Sequence, residues 1–176
     1  MKQLKGVFLG DYNAGKTSLV QRLFDNEFRV TQSTIGVEFR SGVLVPNLKI
    51  SIWDTAGSEY YRSIVPMYFR NVDFIVVVLD KTDSNIMETY TYWMRMIDKH
   101  ALPTVPVQVL LNKYDLTAPS QQWEKVPHTI LVSAKVDTNT VLLNKLWNFW
   151  EGIHATAPPR TTIAVSKPRE TMYTCC

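Results

Sequence analysis

The chain of 176 residues has two cysteines, Cys175 and Cys176, and they are its last two residues. Adjacent terminal thiols build no disulfide framework, so the fold rests on its core, and this usage points to a reducing compartment. The three histidines, His100, His128 and His154, lack metal-ligand spacing and offer no histidine-based metal centre. No apolar run approaches the roughly 20 residues of a membrane span; the longest strong one is Ile75 to Leu79. Charge of one sign is also scarce: 19 Lys and Arg oppose 16 Asp and Glu, a net +3 that gives nucleic-acid binding no support. The first residues run directly into an apolar strand pattern, so no signal peptide is expected. What the chain does have is 45% hydrophobic residues, enough for one domain with a sizeable core.

Apolar runs alternate with helical periodicity. Strands are expected at 4–9, 37–45, 48–53, 74–79, 107–111 and 129–132, and helices at 17–26, 58–70, 85–100 and 140–156. Pro46-Asn47 reads as a turn that makes the second and third strands an antiparallel edge hairpin. The other strands are short, β-branched and almost wholly apolar, as strands buried on both faces are. The expected fold is α/β: a six-stranded, mostly parallel sheet with helices on both faces, which binds ligands at the carboxyl ends of its strands. Trp147 and Trp150, at i, i+3 on the last helix, read as core. From 157 onward Pro158, Pro159, Pro168 and polar residues read as a flexible tail, which leaves 1–156 as the folded domain.

The octapeptide Gly10-Asp11-Tyr12-Asn13-Ala14-Gly15-Lys16-Thr17 fits G-x-x-x-x-G-K-[ST] between a strand and a helix. A strand that turns sharply into a helix aims backbone N–H groups and the positive end of a helix dipole at one point, where a triphosphate sits. Asn13, Ala14, Gly15, Lys16, Thr17 and Ser18 are the candidate phosphate contacts. Lys16 would reach the outer phosphates and the Thr17 hydroxyl would hold Mg²⁺. Asp54, in Asp54-Thr55-Ala56-Gly57, can join the Mg²⁺ shell, and Gly57 can offer its N–H to a γ-phosphate; an Asp at a strand end taken alone also serves as a turn or cap residue.

Asn112-Lys113-Tyr114-Asp115 is the strongest discriminator of the base, although the tetrapeptide taken alone also fits a strand end followed by a polar turn. Guanine presents N1–H and N2–H donors on one edge, and the Asp115 carboxylate can accept both; adenine has no such pair. The Lys113 stem can lie across the base, and Asn112 can tie loops together. Ser133-Ala134-Lys135 follows the sixth strand, where the Ala134 N–H could donate to guanine O6. Taken alone that tripeptide carries almost no information.

With all four motifs in order and each after an apolar strand, the chain resembles the Ras superfamily of small GTPases, and within it the Rab family. The resemblance covers about 4–155 and the terminal cysteine pair, and it is carried further by Thr34-Ile35-Gly36-Val37-Glu38-Phe39, by 50–57, and by Arg62-Ser63-Ile64 and Tyr68-Phe69-Arg70. It implies a GTP/GDP switch of vesicle or membrane traffic with Mg²⁺ as cofactor. Thr34 and Gly57 would hold the γ-phosphate and release on its loss, and Thr34 would join Thr17 and Asp54 at the metal. Phe28 would stack on guanine, although it lies one residue closer to Thr34 than in the family, or it would simply pack on the core. Phe39, Trp53 and Tyr68 would form an effector-reading surface, or pack as core, or both.

The resemblance also implies an exchange factor, a GTPase-activating protein, effectors, prenyl-transfer and membrane-extraction escort proteins, and a monomer. Lipids on Cys175 and Cys176 would hold it to the cytoplasmic face of intracellular membranes in exchange with the cytosol. Arg160, Lys167 and Arg169 add a weak basic bias beside them.

The chain departs from the family at several positions. Ser58 stands where the family's Gln orients the attacking water; among the catalytic candidates Lys16, Thr34, Gly57 and Ser58, it is the one whose side chain is too short for its expected role, which predicts slow intrinsic hydrolysis. Tyr12 stands beside the γ-phosphate, where the family usually has Gly or Ser, and could crowd an incoming arginine finger. Residues 117–124 suggest one or two helical turns where the family has a full helix. Two other readings remain. A GTP-binding scaffold with little turnover fits Ser58 and Tyr12. A phosphate-loop kinase would need an acceptor pocket and a lid, for which no insertion is long enough.

Overall fold

A computed structural model describes residues 1–29, 32–119 and 121–156. The expected tail, 157–176, with Cys175 and Cys176, lies outside the described residues. Six strands form one sheet in the order β2-β3-β1-β4-β5-β6. They are β1 (Lys2–Leu9), β2 (Val37–Val45), β3 (Leu48–Thr55), β4 (Phe74–Asp80), β5 (Val107–Asn112) and β6 (Thr129–Leu131). Only β2 runs antiparallel, pairing with β3 so that Phe39 faces Trp53; every other pairing is parallel. The turn of that hairpin places Asn47 at φ 63°, a left-handed conformation asparagine tolerates.

Successive side chains on a strand point to opposite faces, and both faces are covered. On one side Phe8, Ile50, Ile52, Phe74, Val76 and Val78 pack beneath α1 (Lys16–Asp25) and α3 (Asn139–Thr156). On the other Val7, Leu9, Ile75, Val77, Leu79 and Leu111 pack beneath α2 (Ile86–His100), whose Ile86, Trp93 and Ile97 face them. That is why β4 reads as an unbroken apolar run. Each such side chain contributes about 1.5–3 kcal/mol on burial, so the centre of the sheet is a stiff platform for the loops at its edge.

Two readings change. The helix expected over 58–70 is instead two short 3-10 turns, Glu59–Tyr61 and Val65–Phe69. Pro66 has no N–H and its ring clashes with the carbonyl four residues back, so an α-helix cannot run through it; the second turn starts with that proline in its first positions. Trp147 is 37% exposed while Trp150 is fully buried. The buried stripe of α3 is Leu142, Leu146, Trp150 and Ile153, and Trp147 lies about 100° off it, one residue past Leu146. Between β5 and β6 a single 3-10 turn, Gln122–Lys125, stands where one or two helical turns were expected.

Candidate functional site

All four motifs lie along one edge of the sheet, at the carboxyl ends of β1, β3, β5 and β6. The chain leaves β1 at Gly10 and enters α1 through Gly15, whose φ of 91° is left-handed. Its added Cβ would lie 2.2 Å from Asn112 Nδ2, so only glycine lets the loop close on that side chain. No side chain caps α1, leaving its first N–H groups directed at the loop, as an anion site requires. Tyr12, Asn13, Gly15, Lys16, Thr17, Ser18 and Thr34 line a small pocket there of about 80 Å³. Lys16 is 5% exposed, and its Nζ donates to the carbonyls of Gly10 and Asp11 at 2.9 Å each. Burial lowers its pKa to about 8, against the raising charges of Asp54 and Asp11.

Asp54, Thr17 and Thr34 converge from three segments. The Thr17 hydroxyl donates to Asp54 Oδ2 at 2.6 Å and lies 2.9 Å from Thr34 Oγ1. Asp54 Oδ1 is buried without a partner. Burial raises the Asp54 pKa to about 6; the Thr17 hydrogen bond and the Lys16 charge pull it down, and the Glu38 charge pushes it up. Among the described residues no cluster of three or more His, Cys, Asp or Glu could hold a metal. A hard divalent ion that also takes phosphate oxygens needs no such cluster, and one orphan carboxylate oxygen with two hydroxyls fits Mg²⁺.

Gly57 packs against the phosphate loop: a Cβ there would lie 2.4 Å from the Asp11 carbonyl and the Tyr12 nitrogen. A cleft of about 660 Å³ opens beside it, between Tyr12, Ser33, Thr34, Ser58 and Arg62. Tyr12 is 65% exposed, and the Ser33 hydroxyl donates to its phenol oxygen at 3.4 Å across the mouth. Arg62 bonds Asp11 Oδ1 at 3.1 Å and stacks 4.4 Å from the Tyr92 ring centroid, while Trp93 Nε1 donates to that same oxygen at 2.9 Å. Asp11, Tyr92 and Trp93 were not among the expected site residues.

At the end of β5, Asn112 is 2% exposed. Its Nδ2 donates to Ala14 O at 2.8 Å and its Oδ1 accepts the Ala134 N–H at 3.1 Å, so it ties the phosphate loop to the loop after β6. The Ala134 N–H expected to face guanine O6 is therefore engaged by Asn112. Lys113, at φ 64°, sends Nζ to Asp80 Oδ2 at 2.6 Å. Asp115 is exposed, and Ser133 Oγ donates to its Oδ1 at 2.5 Å. The Lys135 side chain is exposed; its carbonyl, with that of Ala134, accepts from Arg22. Phe28 is 41% exposed, so it is not a core residue. Phe39, Trp53 and Tyr68 form a continuous row, with ring centroids 4.7 and 5.3 Å apart, and Phe39 is half exposed.

Fold and site together define a phosphate-loop nucleotide-binding α/β domain. Residues 5–115 match the family model described as Ras of Complex, Roc, domain of DAPkinase. The chain is 44% identical over 128 residues to the putative ras-related protein Rab-5B of Dictyostelium discoideum, a match covering 71% of this chain and 60% of that protein. It is 40% identical over 116 residues to the ras-related protein RHN1 of Nicotiana plumbaginifolia, covering 64% of this chain and 58% of that protein. It is 36% identical over 126 residues to the GTP-binding protein ypt5 of Schizosaccharomyces pombe, covering 69% and 60%. The matched part thus spans less than two thirds of these relatives' own lengths. The chain belongs to the Ras superfamily of small GTPases, and within it to the Rab family.

Proposed function

We propose that this chain is a Rab-like GTP/GDP switch in membrane traffic that binds effectors in its GTP state and hydrolyses GTP slowly on its own. One observation supports the reading: the Gly10–Thr17 loop and the loop after β6, whose Ser133 bonds Asp115, lie on one sheet edge and are braced to each other through Asn112. Asp115 accepts the N1–H and N2–H of guanine. The phosphate-loop N–H groups and Lys16 hold the phosphates, and Lys16 Nζ exchanges the carbonyls of Gly10 and Asp11 for phosphate oxygens. Mg²⁺ held by Thr17, Thr34 and Asp54 supplies charge neutralisation at the phosphates. Thr34 and Gly57 grip the γ-phosphate from either side, and its loss frees both segments. Phe39, Trp53 and Tyr68 offer effectors an aromatic face beside those segments.

In this reading 1–156 is the GTPase domain and 157–176 a tail lipidated at Cys175 and Cys176, which holds a monomer to the cytoplasmic face of intracellular membranes. Exchange factor, activating protein, effectors, prenyl-transfer and escort proteins are its partners. Ser58 lines the γ-phosphate cleft with a side chain too short to position water as Gln does, which supports slow intrinsic turnover. A second reading, a GTP-binding scaffold with little or no turnover, draws support from Tyr12, whose contact with Ser33 spans the mouth an arginine finger would enter. Nucleotide analysis of the purified chain, then single-turnover hydrolysis with and without an activating protein, separates them. Copurified GTP that resists the activator selects the scaffold. Binding ATP as tightly as GTP would end both.

A further inference from the structure

Asp137 is 4% exposed and stands four residues past Ser133, outside every nucleotide motif. Its carboxylate takes three hydrogen bonds. Oδ1 accepts from the Tyr114 hydroxyl at 2.8 Å; Oδ2 accepts from the Ser133 N–H at 2.9 Å and from Lys145 Nζ, on α3, at 2.8 Å. Lys145 Nζ also lies 4.8 Å from the Tyr114 ring centroid. Burial pushes the Asp137 carboxyl up, but Lys145, the Ser133 N–H and Tyr114 together hold it below its ordinary value. Tyr114 titrates above its ordinary value, chiefly through its bond to Asp137.

Two of the three residues that Asp137 bonds, Tyr114 and Ser133, are the ones that set Asp115. Tyr114 precedes Asp115 in the chain. Ser133 is fully buried, and its hydroxyl accepts from the N–H groups of Lys135 at 3.2 Å and Val136 at 3.3 Å. With its lone pairs so directed, its single proton goes to Asp115 Oδ1. Because β6 ends at Leu131, the Ser133 N–H has no ladder partner and depends on Asp137.

From this connectivity we propose that Asp137, Tyr114 and Lys145 are positioning residues for guanine, acting through Ser133 and the backbone to fix the Asp115 carboxylate. The inference rests on the guanine-nucleotide reading above. Asp115 grips the base by two donors, so its orientation decides how strongly the exocyclic amine is felt. Hypoxanthine lacks that amine, and the ratio of GDP to IDP affinity reads the alignment directly. Replacing Asp137 by Asn turns an amide N–H donor toward groups that are themselves donors and strands the Lys145 charge; Lys145→Met leaves the buried carboxylate without its countercharge.

The test measures dissociation constants and release rates of GDP and IDP, with melting temperature alongside. Asp137→Asn and Lys145→Met should each release GDP about tenfold faster, with the GDP:IDP preference falling by a similar factor, and Tyr114→Phe should do so about threefold. Lys145→Arg, which keeps the ion pair, should stay near wild type. Lys145 is partly exposed, so Lys145→Met and Tyr114→Phe keep the test open if Asp137→Asn does not fold. A merely structural role would lower the melting temperature and weaken both nucleotides equally; an unchanged GDP:IDP ratio in Lys145→Met and Tyr114→Phe overturns the proposal. A wild-type chain with no GDP affinity overturns the nucleotide reading and this inference with it, whereas tight wild-type binding with unaffected variants overturns this inference alone.

Discussion

Removing the Asn112 side chain should loosen the nucleotide without touching either of its ends. Asn112→Ala deletes the bonds at 2.8 Å to Ala14 O and 3.1 Å from Ala134 N–H, in a site where the three residues are 2%, 3% and 4% exposed. Water reaches neither orphaned group well, and each costs about 1–3 kcal/mol if left unpaired. Bound guanine can recover part of the Ala134 term, since O6 is an acceptor at that N–H. A net loss of about 2 kcal/mol remains, and at 1.4 kcal/mol per factor of ten GDP should leave about 30-fold faster. A fluorescent GDP analogue chased with excess GDP reads the rate.

Gly15→Ala attacks the same brace from the other side, because its Cβ would sit 2.2 Å from Asn112 Nδ2. It also strains a φ of 91°. The pair should therefore be strongly non-additive, with the double variant close to the worse single one. Release within threefold of wild type in Asn112→Ala, at an unchanged melting temperature, would show that the two loops hold their positions without it and would refute this reasoning.

Four further expectations concern the switch side, the metal site and the tail. Ser58→Gln should raise single-turnover hydrolysis by about a hundredfold, the low end of what a positioned proton- or water-handling group supplies; an unchanged rate would mean the proposed γ-phosphate cleft lacks something else. Tyr12→Gly should leave GTP affinity intact and increase the response to an activating protein, and an unchanged response would clear Tyr12 of obstruction. Asp54 binds its proton more tightly folded than unfolded, so nucleotide- and Mg²⁺-free protein should lose up to about 3 kcal/mol of stability as pH rises from the unfolded carboxyl range through about 6. Denaturant titrations across pH should show that slope in wild type and not in Asp54→Asn; matching slopes would sink the assignment. Replacing Cys175 and Cys176 together by serine should move the protein from membranes to cytosol, and continued sedimentation with membranes would remove the lipid attachment.

The parallel strands were readable because burial on both faces leaves an unambiguous apolar run, as in β4. The hairpin was readable because Pro46-Asn47 interrupts two strand patterns. Residues 58–70 misled because Tyr60, Tyr61, Tyr68 and Phe69 repeat at helical intervals while Pro66 forbids the hydrogen bonds such a helix needs. Trp147 misled because i, i+3 spacing from Trp150 leaves open which of two residues lies on the buried stripe, and Leu142, Leu146 and Ile153 decide it. The four motifs could be placed along one sheet edge because each follows an apolar strand, and Gly15 was legible because its left-handed φ of 91° and its close approach to Asn112 admit only glycine. Asp137 was not: its partners Tyr114 and Lys145 lie 23 and 8 residues away, and no local pattern marks their meeting. Arg62, Asp11 and Trp93 were hidden likewise, since their separations of 51 and 82 residues exist only in the fold.

The distribution of these contacts bears on how the proposed switch would move without dropping its nucleotide. On the base side Asn112, Ser133 and Asp137 are all under 5% exposed and their bonds join three loops and a helix. Opening any one of them strands buried polar groups. On the proposed γ-phosphate side Thr34 and Arg62 keep part-buried bonds to Thr17 and Asp11, but the outer connections are exposed: Ser33 to Tyr12 at 3.4 Å, and the Arg62–Glu59 pair at 3.0 Å with a glutamate 85% exposed. Exposed pairs exchange readily for water and contribute at most about 1 kcal/mol each. In the proposed switch, Ser33 and Glu59, which flank Thr34 and Gly57, are thus held by exposed contacts that a lost γ-phosphate can tip, while Ser133, which bonds Asp115, is held by buried ones. Hydrogen exchange in the GDP and GTP-analogue states should accordingly differ around 32–36 and 57–62 and stay matched at 112–115 and 132–137; equal change in both sets would mean that the domain responds as one body.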